Sequence, residues 1–112
     1  MPGRRLLRYV SGFIKAVAAS KVKPGRLLTV EVGGESVLLA NVEGRFCAMG
    51  AVCTHEEWDL SEGSLEGFRV TCAGHGSKWD LRTGKAEFDE PLTDEPLYEV
   101  KEENGELWVR RK

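Results

Sequence analysis

Two Cys/His pairs constrain this chain more than any other feature of its sequence. Cys53 and His55 form a Cys-x-His pair, and after sixteen intervening residues Cys72 and His75 form a Cys-x-x-His pair. Thiolates and imidazoles are soft or borderline donors, and a small domain can hold four of them together where a metal offsets the cost of ordering them. The spacing therefore predicts a metal site whose ligands are Cys53, His55, Cys72 and His75.

The size of the chain and its cysteine content predict one domain without a disulfide framework. With 112 residues, 41% of them apolar and 30% charged, the chain can bury one core but not two ordinary ones. Three cysteines are too few for the disulfide pattern of a small secreted domain. The third, Cys47, is most simply a small buried side chain on a strand.

Charge is distributed unevenly along the chain. The net charge of −2 argues against a protein that holds nucleic acid through phosphate contacts. Residues 1–26 carry seven Lys and Arg residues and no acid, whereas residues 86–106 carry nine acids and a single Lys101. An acidic face of this kind can steer a basic partner, although a solvated surface explains the same pattern equally well.

The basic N-terminus has the outline of an export signal but lacks its apolar segment. Arg4-Arg5 is followed by an Ala16-Val17-Ala18 sequence, yet Arg8 and Lys15 interrupt the region between them. No run approaches the roughly 20 apolar residues needed to span a bilayer. We expect a basic arm over residues 1–12, a domain over residues 13–112, no membrane span and a cytoplasmic location.

Turn signals and alternating apolar residues predict an antiparallel β-fold. Gly33-Gly34 and Asn104-Gly105 are typical hairpin turns. In the segment Arg45–Met49, alternation places Phe46 and Ala48 on one face and Cys47 and Met49 on the other. No convincing helical periodicity interrupts the strands.

The region that carries the four candidate ligands has a different composition. Residues from about 50 to 85 are rich in glycine and polar side chains, and only Phe68–Thr71 and Lys78–Asp80 have the pattern of short strands. The sequence thus predicts an all-β sandwich or barrel with a small metal-binding subdomain, about 50–85, inserted near its tip.

Two kinds of metal site agree with four ligands of this type. A tetrahedral zinc site is one alternative, although it usually pairs like ligands and places its histidines on a helix. The Cys/His, Cys/His order also suits a two-iron cluster, in which two cysteines bind one iron and two histidines bind the other. The order of the ligands favours the cluster, with a structural zinc module as the alternative.

The residues around the ligands carry a family resemblance. Cys53 to Gly67, the run His75-Gly76-Ser77-Lys78-Trp79-Asp80 and the turn Thr83-Gly84-Lys85 resemble the cluster loops of Rieske [2Fe–2S] ferredoxins that serve ring-hydroxylating dioxygenases of the biphenyl and toluene type. The resemblance covers about residues 12–112. It implies a [2Fe–2S] cofactor held by Cys53, His55, Cys72 and His75.

The same resemblance implies which residues surround the cluster. Gly74 and Gly76 would let the backbone approach and donate N–H groups to a sulfide, although a simple turn explains them equally well. Ser77 stands where high-potential relatives have a hydroxyl donor to a bridging sulfide. Trp79 stands where high-potential relatives have a tyrosine, and the cysteines of their disulfide are missing, which implies a potential in the lower half of the Rieske range. Residues expected to shield or cover the cluster are Trp58, Trp79 and Pro91.

The function implied is electron transfer without a catalytic site. We expect a soluble, monomeric one-electron carrier that accepts an electron from a flavin-containing reductase and passes it to a terminal oxygenase or similar acceptor. No catalytic residues are predicted. A fixed Rieske subunit of a larger oxidoreductase is a further alternative.

Overall fold

A computed structural model of the chain describes residues 12–54, 57–74 and 76–112. The described strands are β1 (Ile14–Ala18), β2 (Leu27–Val32), β3 (Glu35–Val42), β4 (Arg45–Gly50), β5 (Ser64–Glu66), β6 (Arg69–Thr71), β7 (Lys78–Asp80), β8 (Ala86–Glu87), β9 (Leu97–Glu103) and β10 (Glu106–Arg111). Short 3₁₀ turns occupy Ala19–Lys21 and Leu60–Glu62. Within these ranges, no helix has the length and apolar character required to cross a membrane.

The larger sheet has six antiparallel strands and curls toward a barrel. Its strand order is β1-β10-β9-β4-β3-β2, and the two edge strands, β1 and β2, contact each other. Curling brings the unpaired edges together, which protects them from pairing with another chain. The prediction of an antiparallel all-β fold is confirmed.

Two hairpins of this sheet form at the predicted glycine turns. Gly33 and Gly34, between β2 and β3, have φ values of 59° and 83°, and Asn104 and Gly105, between β9 and β10, have φ values of 54° and 78°. Positive φ at both central residues is the geometry that matches the twist of a two-residue hairpin. The first turn fixes the register of β2 and β3, in which Val32 pairs with Glu35.

The smaller sheet is inserted between β4 and β9, and Cys72 follows its strand β6. Its strand order is β5-β6-β7-β8, with all neighbours antiparallel. Strands β6 and β7 match the two short strands predicted from sequence. Strands β5 and β8 were not predicted, because three-residue and two-residue strands are too short to show alternation.

Strand β3 links two cores. Leu38 packs in one buried cluster with Cys53 and Cys72, whereas its neighbour Leu39 packs in another with Leu107. The alternation predicted for β4 follows the same division, with Cys47 and Met49 in the first cluster and Phe46 and Ala48 in the second. The core that holds both ligand cysteines is therefore one face of the larger sheet.

Candidate metal centre

The first ligand loop is Cys53–Trp58, which follows β4. The N–H of Cys53 donates to the carbonyl of Trp58 at 2.8 Å, and the N–H of Glu57 donates to the carbonyl of Cys53 at 2.8 Å. To close this turn, Glu57 adopts φ of 60°, a left-handed conformation that few residues other than glycine adopt. Two backbone hydrogen bonds at the buried Cys53 thus close this loop.

The second ligand loop is Cys72–Ser77, which joins β6 to β7, and its backbone repeats the first. The N–H of Cys72 donates to the carbonyl of Ser77 at 2.8 Å, and the N–H of Gly76 donates to the carbonyl of Cys72 at 3.2 Å. Gly76 takes φ of 78° at the position that corresponds to Glu57. The two loops, which differ in sequence, therefore share a pair of backbone hydrogen bonds and a left-handed residue at the same position.

Both cysteines are buried beneath their loops and carry unoxidised thiols. Cys53 is 0% exposed and Cys72 is 2% exposed, and neither forms a disulfide. The third cysteine, Cys47, is half-buried on β4; burial raises the pKa of its thiol, which Arg45 offsets in part. Because Cys47 lies on β4, outside both loops, the geometry places Cys53 and Cys72, and not Cys47, at the candidate site.

Hydrogen-bond donors reach both ligand sulfurs. The backbone N–H of Gly74 donates to Cys72 Sγ at 3.4 Å, and Ser77 Oγ lies 3.7 Å from Cys53 Sγ. Trp79 Nε1 donates to Ser77 Oγ at 3.1 Å. Because the indole already donates to this oxygen, the hydroxyl proton of Ser77 is free to point at a Cys53 thiolate. Donors aimed at thiolates stabilise the charge that a redox group gains on reduction, so these residues fit an iron–sulfur cluster.

Two of the expected roles change in detail. The N–H of Gly76 donates to the backbone carbonyl of Cys72, which agrees with the alternative of a simple turn. Trp79 is fully buried and contacts Cys53 through Ser77, whereas the sequence implied a shielding role and the loss of a tyrosine donor. Gly74 N–H and Ser77 Oγ lie at cysteine sulfurs, whereas the acceptor expected from sequence was a sulfide.

The predicted histidine ligands, His55 and His75, lie outside the described residues, as does the basic arm except for Gly12. Within residues 12–54, 57–74 and 76–112, no three His, Cys, Asp or Glu side chains converge. The assignment of the histidines as ligands stays a prediction from sequence.

Trp58 covers the second loop from the first. Its ring lies so close to Gly74 that a Cβ there would be 2.7 Å from Trp58 Cδ1, yet the side chain remains 43% exposed. Val52, on the other side of Cys53, is also 43% exposed. These are the large apolar side chains that are exposed among the described residues, and both adjoin the first ligand loop.

Residues 88–96 form a third segment that contacts the first loop. Thr54 Oγ1 donates to the carbonyl of Thr93 at 2.9 Å, and Glu95 is buried beneath the loop. Pro91, expected to cover the cluster, is exposed within this segment. Sequence reasoning missed Thr93 and Glu95, because nothing local distinguishes either from a solvent-facing loop residue.

Asp59 is another missed contributor, and a sequence signal for it existed. Its Oδ1 accepts from Thr29 Oγ1 at 2.7 Å and from the N–H of Ser61 at 2.9 Å. Although burial acts to raise the pKa of Asp59, the hydrogen bonds from Thr29 and Ser61 bring it below its ordinary value. An aspartate before a short helical turn is a typical N-cap, which here fixes the exit of the first loop to β2.

Comparison with known proteins agrees with this geometry. The Rieske [2Fe-2S] domain family matches residues 12–102. The biphenyl dioxygenase ferredoxin subunit of Pseudomonas sp. (strain KKS102) is 38% identical over 98 residues, which cover 87% of this chain and 90% of that protein.

Solved structures show the same fold. The structure of a complex of reduced oxygenase and oxidized ferredoxin in carbazole 1,9a-dioxygenase contains a chain that is 31% identical, with a TM-score of 0.80 and coverage of 90% of this chain and 96% of that one. The ferredoxin of carbazole 1,9a-dioxygenase from Nocardioides aromaticivorans IC177 is 22% identical and has a TM-score of 0.82, with coverage of 89% and 98%. These matches favour the [2Fe–2S] cofactor over the zinc alternative. The chain belongs to the Rieske [2Fe–2S] domain family and, within it, to the ferredoxins.

Proposed function

We propose that this protein is the one-electron carrier of a ring-hydroxylating oxygenase system, receiving an electron from a flavin-containing reductase and delivering it to a terminal oxygenase. The observation that carries the proposal is the pair of matching loops that hold Cys53 and Cys72 as buried thiols, each with a donor at its sulfur. The relatives, ferredoxin components of dioxygenase systems, support the same role.

The ligands in this proposal are Cys53 and Cys72 on one iron and His55 and His75 on the other. The bound cluster supplies a one-electron couple, and two imidazoles in place of two thiolates put its potential between roughly −150 and +300 mV. The chain contributes the hydrogen bonds that adjust this value. With donors from Gly74 and Ser77 but no tyrosine hydroxyl and no disulfide, we expect a potential in the lower half of that range.

The docking surface in this proposal is centred on apolar contacts beside the first loop. Val52 and Trp58 are exposed next to the cysteine, and an exposed tryptophan is a frequent anchor of protein interfaces. A terminal oxygenase that covers Trp58 would also exclude water from the path between the two redox centres. Electron transfer to the oxygenase therefore depends on this side chain.

The acidic segment 86–106 contributes less charge to docking than its composition indicated. Within the described residues, at least five of its nine acids form ion pairs, and Glu95 is buried. These pairs are Arg69–Glu87, Lys85–Asp94, Arg110–Glu99, Lys101–Glu103 and Lys15–Glu106. Paired charges steer a partner only weakly. We therefore expect association with the oxygenase to weaken modestly with ionic strength.

The remaining parts of the proposal concern organisation. We propose a cluster-binding subdomain at about residues 50–85 within a domain of residues 13–112, preceded by a basic arm at residues 1–12. A cytoplasmic, monomeric protein agrees with shuttling between two partners, and a fixed subunit does not. Sizing of the native protein in cell extract distinguishes these, because a carrier elutes alone.

The decisive experiment is an EPR spectrum of the dithionite-reduced protein together with iron and sulfide analysis. The expected result is a red-brown protein with equal iron and labile sulfide and an average g value below that of an all-cysteine cluster. A colourless protein with stoichiometric zinc would reject the proposal. Electron transfer to the terminal oxygenase of biphenyl dioxygenase tests docking: Trp58→Ala should slow it, whereas Phe46→Leu, away from the loops, should not.

A further inference from the structure

Glu95 is a buried carboxyl group whose position neither its sequence context nor packing explains. It lies in the segment between β8 and β9 and is 4% exposed, although acidic residues are rarely buried unless they are paired. Its carboxyl group accepts a hydrogen bond from the backbone N–H of Thr54. Its Oε2 atom is buried without a hydrogen-bond partner in the part of the chain that the structure describes.

The surrounding backbone leaves space for this carboxyl group. A Cβ atom on Gly50 would lie 2.3 Å from Glu95 Oε1, so a side chain there would displace it. The N–H of Glu95 donates to the carbonyl of Gly84 at 2.8 Å, and a Cβ on Gly84 would lie 2.4 Å from the carbonyl oxygen of Glu95. Two glycines from different parts of the fold therefore admit Glu95 to its site.

A cation in the groove beside Glu95 forms its ion pair with another carboxylate. Arg111 lines the same groove as Glu95 and Cys53, but its Nη1 is 3.2 Å from Glu35 Oε2. The hydroxyl of Tyr98 also donates to Glu35. Arg111 and Tyr98 therefore interact with Glu35. The hydrogen bond to Glu95 comes from the Thr54 N–H.

We propose that Glu95 is a positioning residue of the first ligand loop, which it holds through the Thr54 N–H, and that its buried negative charge lowers the reduction potential of the cluster. The inference rests on the proposed function. Thr54 lies between two proposed ligands, Cys53 and His55, so its backbone position sets the direction of both. A negative charge beside this loop opposes the arrival of an electron, because like charges repel strongly where water is excluded.

Glu95 must be ionised for this effect to appear. Burial raises the pKa of Glu95 to about 7, against the opposing hydrogen bond from Thr54. In mildly alkaline buffer the carboxylate predominates, and the comparison of variants is made there.

The test compares three variants of the cluster-loaded protein with wild type. Glu95→Gln keeps the shape and an acceptor oxygen but removes the charge, and Glu95→Ala removes both. Asp94→Asn removes the same charge one residue away, from an exposed side chain that pairs with Lys85 at 3.2 Å. The measurements are the midpoint potential by voltammetry, hydrogen exchange of the peptide that contains Thr54, and the rate of iron loss to a chelator.

The expected pattern separates charge from position. Glu95→Gln should raise the midpoint potential and keep the wild-type exchange rate at Thr54. Glu95→Ala should raise the potential, speed exchange at Thr54 and accelerate iron loss. Asp94→Asn should change none of these.

Two results would overturn the inference while leaving the proposed function intact: an unchanged potential in Glu95→Gln with a wild-type EPR spectrum, or an equal shift in Asp94→Asn. Wild-type protein without iron and sulfide would overturn both. Should Glu95→Ala fail to fold, the potential of Glu95→Gln still decides the matter.

Discussion

The two ligand loops, Cys53–Trp58 and Cys72–Ser77, have different residues but the same pattern of backbone hydrogen bonds. In each, the cysteine N–H bonds to the carbonyl five residues ahead, and its carbonyl accepts from the N–H four residues ahead. The second loop closes with Gly76, whereas the first closes with Glu57 in a left-handed conformation. The hydrogen-bond pattern is therefore the common requirement of the site, and residue type varies around it.

The same comparison shows that the loops depend on each other. The second loop sends Ser77 Oγ to within 3.7 Å of Cys53 Sγ in the first. The side chain of Trp58, in the first loop, packs against Gly74 of the second. The small residues of the second loop thus leave room for the large residue of the first, and each loop completes the surroundings of the other.

The largest expected effect comes from removing the cysteine sulfur of either loop. Cys53→Ser and Cys72→Ser should each abolish cluster assembly, because two cysteines on one iron cannot be reduced to one without opening the site. Iron and sulfide analysis of the purified variants measures this. Cys47→Ser is the matched control and should keep the full iron content. Normal iron in either ligand variant would contradict the assignment.

The next prediction concerns Glu95, the buried carboxyl group that contacts the first loop and has no counterpart described at the second. Burial raises the pKa of Glu95 from its ordinary 4.5 to about 7, so the folded protein binds this proton more tightly than the unfolded chain. The stability from this group is complete below about pH 4.5 and is lost as pH rises through about 7. The difference between the two pKa values corresponds to about 3 kcal/mol.

Chemical denaturation over this pH range measures the effect. The free energy of unfolding of wild type should fall relative to that of Glu95→Gln as pH rises. Asp94→Asn, in the exposed neighbouring position, should follow wild type. Parallel curves for wild type and Glu95→Gln would show that the Glu95 proton is not coupled to folding.

A third prediction tests the contact by which the first loop covers the second. Gly74→Ala places a Cβ 2.7 Å from Trp58 Cδ1, and overpacking of this kind typically costs about 1–3 kcal/mol. In a Trp58→Ala background the same change should cost almost nothing, since the clashing ring is gone. A double-mutant cycle of unfolding free energies gives the coupling. Equal costs in both backgrounds would mean that Trp58 moves away freely.

The donor that the second loop supplies to the first should change the potential. Ser77→Ala removes the hydroxyl near Cys53 Sγ, and loss of a hydrogen bond worth about 1 kcal/mol should lower the midpoint potential by roughly 40 mV. Trp79→Phe, which removes the indole donor to Ser77, should lower it less, because the hydroxyl remains. Voltammetry of both variants tests this order. A potential unchanged by Ser77→Ala would show that this hydroxyl does not donate to the site.

Local signals in the sequence account for most of the larger sheet. Gly33-Gly34 and Asn104-Gly105 predicted their hairpins because only particular residues adopt positive φ at low cost. The alternation along β4 predicted its two faces because the pleat alternates side chains. The four-ligand pattern predicted the cofactor, which family membership supports.

What the sequence left open depends on distant contacts. Glu95 is one acid among nine in its segment, and its burial is decided by Gly50, 45 positions away. The pairing of β1 with β10 joins the two ends of the domain. The similarity of the two loops was not predicted either. Glycine often adopts a positive φ, as Gly76 does, but nothing in the sequence indicates that Glu57 does so too.

The smallest expected effect concerns the left-handed position of each loop, which is Glu57 in the first and Gly76 in the second. A left-handed conformation costs an ordinary residue about 1–2 kcal/mol. Glycine avoids this cost but loses more chain entropy on folding, which offsets part of the stabilisation. Glu57→Gly should therefore stabilise the protein by roughly 0.5–1 kcal/mol. Gly76→Ala should destabilise it by about 1 kcal/mol, because space at Gly76 is open and only its φ of 78° is unfavourable. Denaturation midpoints of the two variants measure both effects. If the loops share one backbone requirement, the two shifts have opposite signs; shifts of the same sign would mean that the side chain of Glu57 contributes more than its conformation costs.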